Sequence, residues 1–314
     1  MSTPAIALCI CTYDRYDLLP GAIRSALEQS LPVERYEVIV IDNSPDAKRA
    51  ELFSERFTAP NLRYVHEKTP GLSNARNVAA SLANAPVIAF MDDDALADPE
   101  WAAELLNAYD SFGESATIVG GRVDPIWASE RPEWVHDSML GNLSIVDWGG
   151  DARIAGPDEW VAGTNISFRT SAILENGGFP LNLGRVGSGS ALLSNEEIKL
   201  VERIREAGGQ LVYAPLARVN HLVDVRRLRR EWFRKRAAWQ ALSDFMMNPD
   251  GQAAEARKQW PSLIKYFNAL PPHERTIRGF LHPTDDPELF HWQTGAVYMM
   301  TTLLLAGFEG VELD

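Results

Sequence analysis

Over the first hundred residues, short apolar runs alternate with longer amphipathic stretches. Residues 5–13, AIALCICTY, read as a buried strand, and residues 15–31 place Leu18, Leu19, Ile23, Ala26 and Leu27 near helical spacing. YEVIVIDNS (36–44) and NLRYVHEK (61–68) are two further strands, and GLSNARNVAASLANA (71–85) is a helix opened by small and polar residues. PVIAFMDDD (86–94) is a fourth strand. DPEWAAELLNAY (98–109) follows as a helix, with Asp98 expected as its N-cap and Pro99 at its first position. Apolar strands alternating with helices predict an α/β fold, a mostly parallel sheet flanked by helices. In such sheets ligands bind beyond the carboxyl ends of the strands. Three of those ends are polar: Thr12-Tyr13-Asp14, Asp42-Asn43 and Asp92-Asp93-Asp94. They predict one acidic cleft.

The pattern then weakens. Residues 118–195 are rich in Trp, Gly and Pro and read as irregular. Periodicity returns with NEEIKLVERIREAGG (195–209), a helix stopped by glycine, and QLVYAPLARVNHL (210–222), a strand and turn. From residue 225 the chain becomes basic and aromatic, VRRLRREWFRKRAAWQALSDFM, and then helical or loop-like. The expected organisation is a domain over residues 1–224 and a C-terminal helical region over 225–314.

Composition narrows the classes. Of 314 residues, 46% are hydrophobic, enough for a real core, and the net charge of −13 disfavours a nucleic-acid partner. Cys9 and Cys11, the two cysteines, lie two apart in one strand and are poorly placed to bridge. They read as reduced core thiols of a cytoplasmic protein. The N-terminal residues lack the basic and long apolar parts of a signal peptide. Residues 290–308 carry no Asp, Glu, Lys or Arg, yet His291, Gln293, Gly295, Thr301 and Thr302 dilute them. A helix packed on the protein or dipping into a membrane surface is expected there, rather than a span.

Three consecutive carboxylates repel one another and are costly to desolvate, so they need a positive partner or open water. On a strand end Asp92 and Asp94 point one way and Asp93 the other. Hard divalent cations, Mg²⁺ or Mn²⁺, suit such oxygens, and Mg²⁺ takes one or two carboxylates together with waters and phosphates. A solvated acidic turn is the plain alternative. No GxxxxGK[ST] loop and no correctly spaced GxGxxG is present, so neither phosphate-cradling loop is available.

The ordered set CTYDRYDLLPGAIRSALEQSL, EVIVIDNSPD, GLSNARN, VIAFMDDDALADPEWAAEL, GTNISFRTSAILENGGFP, NEEIKLVERIREAGG and VYAPLARVNH resembles the inverting family 2 glycosyltransferases with the GT-A fold. The resemblance covers about residues 5–224. It implies that Thr12, Tyr13 and Asp14 contact the nucleoside of a donor, with Tyr13 offering a face to the base. Asp42 would accept from the base imide, and Arg76 would approach the diphosphate or structure the pocket. Asp92 and Asp93 would belong to the nucleotide site, Asp94 would ligate the metal with His221 nearby, and Asn165 in GTNISFR would lie under the sugar. Glu197 matches the general-base position, where relatives often carry Asp, with Glu196 beside it. A helix N-terminus favouring two carboxylates is the alternative for that pair.

The resulting expectation is metal-dependent transfer, with inversion, from a nucleotide-diphosphate sugar, UDP-linked, to a saccharide, lipid-linked or small-molecule hydroxyl. The basic helix, with Arg229, Arg230 and Arg234 around Trp232 and Phe233, is a solvated face, a contact with anionic lipid at the inner membrane surface, or a hold on a phosphorylated acceptor. A nucleotidyltransferase on a related fold would need a basic, glycine-rich triphosphate loop, which TYDRYD does not supply. A non-catalytic carbohydrate- or partner-binding protein is the other rival.

Overall fold

The computed structural model describes residues 3–187, 191–276 and 281–307. They group into two compact units: one drawn from 1–126, 144–190 and 196–222, the other from 127–143, 191–195 and 223–314.

In the first unit β1 (Ile6–Thr12), β2 (Tyr36–Asp42), β3 (Leu62–His66) and β4 (Val87–Asp92) pair in parallel in the order β3-β2-β1-β4. The intervening helices are α1 (Leu19–Leu27), α2 (Ala47–Ser54) and α3 (Leu72–Leu82). Buried on both faces, β1 divides its side chains between two cores. Ile6, Leu8 and Ile10 meet Leu19 and Ile23 of α1 and Trp101 and Leu105 of α4 (Trp101–Phe112). Ala7 and Cys9 meet Ala75 and Ala79 of α3. The period-two alternation of a strand produces this division. β1 lies between β2 and β4, so the strand order reverses there and the carboxyl ends of all three strands open onto one crevice. Register places Thr12 beside Asp42 and Cys11 beside Asp92. Cys9 and Cys11 are free thiols.

Beyond β4 the sheet continues through β8 (Ile166–Arg169), β6 (Ala116–Trp127), β9 (Gln210–Val223) and β5 (Ala95–Ala97), with β7 (Arg153–Ile154) paired to β9. β4 with β8, β6 with β8, and β5 with β9 are antiparallel pairs. The stretch expected to be irregular therefore supplies two central strands. Gly120, Gly121 and Pro125 hide β6, because glycine and proline are depleted in strands. Gly121 has a packing reason: a Cβ there would lie 1.8 Å from the Ala217 carbonyl oxygen of β9. α5 (Thr170–Glu175) and α6 (Glu196–Glu206) complete this unit. α4 starts later than expected. Asp98 Oδ1 accepts from the Glu100 amide at 3.0 Å, closing a turn before the helix rather than capping it.

The second unit is helical: α7 (Arg230–Met247), α8 (Pro249–Ala269) and α9 (Pro287–Leu305). Its aromatic centre stacks Trp134 edge-on to Phe290 at 4.8 Å and to Phe233 at 5.6 Å. α9, the apolar segment noted above, buries Phe290, Ala296 and Leu303. Among the described residues no helix is long and apolar enough to cross a membrane.

Candidate active site

β4 ends at Asp92, and Asp93 and Asp94 form the turn into β5. The turn separates them more sharply than strand alternation would. Asp93 points inward, accepting from Thr12 Oγ1 at 2.7 Å and pairing with Arg15 at 2.9 Å. The same guanidinium donates to Asp94 Oδ2 at 2.8 Å, a fork spanning two carboxylates. Burial pushes Asp93 up to about 7, with Arg15 opposing and Asp94 adding to the rise. Arg15 escaped the sequence reading. Its signal was a lone arginine three residues past the Thr12 strand end, at the C-terminal edge that also carries the acidic turn.

The antiparallel β5–β9 pair sets His221 opposite Ala95, and His221 Nε2 lies 3.4 Å from Asp94 Oδ1. One ligand atom each from Asp92, Asp94 and His221 falls within 4.8 Å of the others. The Asp94 and His221 side chains are 7% and 1% exposed, while the Asp92 side chain is 36% exposed, so the group opens on one side. The two carboxylate oxygens suit Mn²⁺ or Mg²⁺ and the imidazole favours a transition metal over Mg²⁺, so the residues present fit a divalent cation.

Arg76, 3% exposed, lies behind this group. It donates to Glu196 Oε1 at 2.7 Å and to the Gly163 carbonyl at 3.2 Å. Asp92 Oδ1 and Glu197 Oε2 each lie 3.9 Å from it, and Phe90 and Phe179 flank it. Burial works against its charge, yet Glu196, Glu197 and Asp92 together hold its pKa above the ordinary arginine value. So enclosed, Arg76 joins Asp92 to the Glu196–Glu197 pair. Glu196 is 3% exposed, and the Glu197 side chain 17%. Glu197 Oε2 accepts no hydrogen bond from the described residues. Burial first, then the neighbouring Glu196, push Glu197 up to about 8. The glycine-rich approach to this helix falls partly at 188–190, outside the described residues.

Two residues expected to touch the donor are turned inward. Asp42 is fully buried; Oδ2 accepts from Tyr16 at 2.8 Å and Tyr64 at 2.6 Å, and Oδ1 from the Ser44 amide at 2.8 Å and the Ser44 hydroxyl. With four donors already on it, it is a clasp between β2, β3 and the β1 exit loop, and offers no oxygen to a base. Asn165, also fully buried, accepts from Trp101 Nε1 and donates to the Arg122 and Ala217 carbonyls, each at 2.8 Å. It ties α4, β6 and β9 together, leaving Thr164 to reach Asp92, whose amide donates to Thr164 Oγ1 at 3.2 Å. Tyr13 and Asp14 stay at the crevice mouth, half-buried and exposed, with Asp14 at φ +55° and ion-paired to Arg49.

The raised carboxyls make stability pH-dependent. Asp93 and Glu197 keep their protons in the fold up to about 7 and 8, whereas the unfolded chain releases them near ordinary carboxylate values. The folded state then binds more protons, so stability falls as pH rises through that window. Denaturant midpoints of metal-free protein should be lower at about pH 8.5 than at about pH 5.5, and Glu197→Gln should flatten the fall. Equal midpoints at both pH values would contradict these environments.

Residues 7–157 match the family described as glycosyl transferase family 2. A glucosyl-dolichyl phosphate glucuronosyltransferase of Haloferax volcanii is 27% identical over 247 residues, covering 77% of each chain. Among solved structures, a mannosyltransferase from Pyrobaculum calidifontis in complex with GDP-Man and Mn²⁺ superposes with a TM-score of 0.54 at 17% identity, covering 99% of this chain and 77% of that one. S. aureus TarS 1–349 in complex with UDP gives 0.52 at 17%, covering 98% and 93%.

Proposed function

From the premise that this chain is a family 2 glycosyltransferase on the GT-A fold, we propose that it transfers a sugar with inversion from a nucleotide-diphosphate donor, Glu197 serving as base and Asp92, Asp94 and His221 holding a divalent cation. The observation that carries the reading is the pair of carboxylate groups joined through Arg76: one fits a cation, and the other ends in a buried carboxylate oxygen that accepts no hydrogen bond from the described residues. Transfer needs both, an anion-stabilising end for the leaving diphosphate and a proton acceptor for the incoming hydroxyl.

Each residue has a distinct task. Glu197 takes the acceptor hydroxyl proton as that oxygen attacks the anomeric carbon, and the bond to the diphosphate oxygen breaks on the opposite face. Arg76 holds Glu196 and sets the orientation and basicity of Glu197. Arg15 fixes the Asp93–Asp94 turn so that Asp94 keeps its place beside His221. Tyr13 and Asp14 at the mouth meet the nucleoside, with the Tyr13 ring offered to the base. When bound, the cation would neutralise charge developing on the diphosphate. Solved structures of this fold carry UDP in one case and GDP-Man with Mn²⁺ in another, so UDP is the first nucleotide to test and GDP the comparison. The catalytic domain would end near residue 224, with 225–314 serving the acceptor.

A thermal-shift panel of UDP- and GDP-sugars with Mn²⁺, Mg²⁺ or chelator tests this, because a ligand that binds only the folded state raises the melting temperature. Asp94→Asn should weaken Mn²⁺-dependent donor binding at least about tenfold while the ligand-free protein melts cooperatively. Parental donor affinity and Mn²⁺ dependence in that variant would remove Asp94 from the site.

A further inference from the structure

The helical unit contains a cavity of about 320 Å³ unrelated to the carboxylate groups above. Its lining brings together Arg229, Arg230 and Arg234 with the apolar Trp134, Leu228 and Pro283. The volume is at the lower end for small-molecule sites. It is also where α7 begins, and among the described residues no side chain caps that helix start. Its first-turn amides add positive potential to that of the arginines.

The arginines are not neutralised in the way buried cations usually are. Arg234 donates Nη2 to the Leu281 carbonyl at 3.0 Å and to Gln293 Oε1 at 3.4 Å, neither of them a carboxylate. Its Nε–H is buried and has no hydrogen-bond partner among the described residues. Burial, with Arg230 adding to it and Glu231 opposing, depresses its pKa. Arg230 donates to the Thr284 carbonyl and to Asp285 Oδ1, a carboxylate 92% exposed and therefore screened by water. It stacks over Trp134 at 4.7 Å. Arg229 stands exposed at the rim. Among the described residues Glu231 is the single acid of the lining. An uncapped helix start and partly desolvated guanidinium groups in a space of ligand size favour a fixed anion. Guanidinium forks match phosphate oxygens, and the apolar lining suits a hydrocarbon attached to that phosphate.

We propose that this cavity binds the phosphate group of a phosphate ester of an apolar alcohol, a phosphorylated acceptor. Only the word acceptor rests on the glycosyltransferase reading; the phosphate site does not.

The test is calorimetric titration of the whole chain in chelator, at fixed ionic strength, so that no cation retains phosphate at the Asp92–Asp94–His221 group. The probes are inorganic pyrophosphate, geranyl phosphate, and vesicles of phosphatidylcholine with phosphatidylglycerol. Saturable one-site binding of both soluble probes is expected, tighter for geranyl phosphate and weakened by salt. Arg234→Gln should reduce affinity about tenfold, the usual size of one charge-assisted hydrogen bond, with Arg234→Lys between it and the parent. Near-ultraviolet circular dichroism checks that the variant folds; should it not, Arg229→Gln at the exposed rim carries the same expectation. Absence of saturable binding, equal affinity in parent and folded variants, or binding to vesicles alone would overturn the proposal. Failure of the parent to turn over any nucleotide sugar would instead count against the transferase reading and leave the titration result standing.

Discussion

Glu197→Gln should bind the donor like the parent and turn over about 10²–10⁴-fold more slowly, the usual contribution of a general base. Glutamine keeps the size and one acceptor oxygen but takes no proton. The loss belongs in kcat, because the interaction is made only as the proton moves. Glu196→Gln should lose less: its carboxylate is spent on Arg76 at 2.7 Å, and a helical neighbour points about 100° away. The pH profile offers an independent check. A base whose pKa is pushed up to about 8 is half charged only there, so kcat/KM of the parent should rise from about pH 6, reach half its limit near about 8 and level off above about 9. The variant should lose that rise. Nucleotide release measured across that range reads both effects. Near-parental turnover in Glu197→Gln would leave the acidic pair as a favourable start to α6 and no more.

The parts of this site that were legible in the sequence are those encoded locally. An unbroken apolar run followed by polar residues marks a buried strand and its exit, and Thr12, Asp42 and Asp92 all stand at such exits. The helix opened by Glu196 and Glu197 announced itself through its periodicity. What stayed hidden depends on partners far along the chain. Asp42 reads as a free carboxylate until Tyr16 and Tyr64 close on it from 26 and 22 residues away. Asn165 reads as a site residue until Trp101, Arg122 and Ala217 saturate it. His221 was expected near the metal from resemblance alone; what sets it beside Asp94 is the β5–β9 register, which no periodicity within β9 contains. β6 was missed because Gly121 answers to the backbone of β9 rather than to strand propensity. The family pattern thus transfers residue types to positions, while saturation by the surrounding fold decides which of those positions still face a ligand.

Arg76→Met should cost about 3–5 kcal/mol of stability, the usual penalty for leaving a buried charge without its partner. Methionine fills a similar volume between Phe90 and Phe179, so the loss reports charge rather than a cavity. Three carboxylates depend on this one cation. Glu196 loses its 2.7 Å partner, and Asp92 and Glu197 lose the charge 3.9 Å from each. The consequence is strongly pH-dependent. At low pH Glu197, pushed up to about 8, keeps its proton; at high pH it must be buried as an anion without the cation. The penalty should therefore grow between about pH 6 and pH 8.5 in urea unfolding. Arg76→Met combined with Glu196→Gln should recover most of it, since the second change removes the orphaned charge and couples to the first in a double-mutant cycle. A loss below about 1 kcal/mol that is the same at both pH values would mean that water already screens the pair. The crevice floor would then be open, and Glu197 would have an ordinary carboxylate pKa rather than one raised by burial and Glu196.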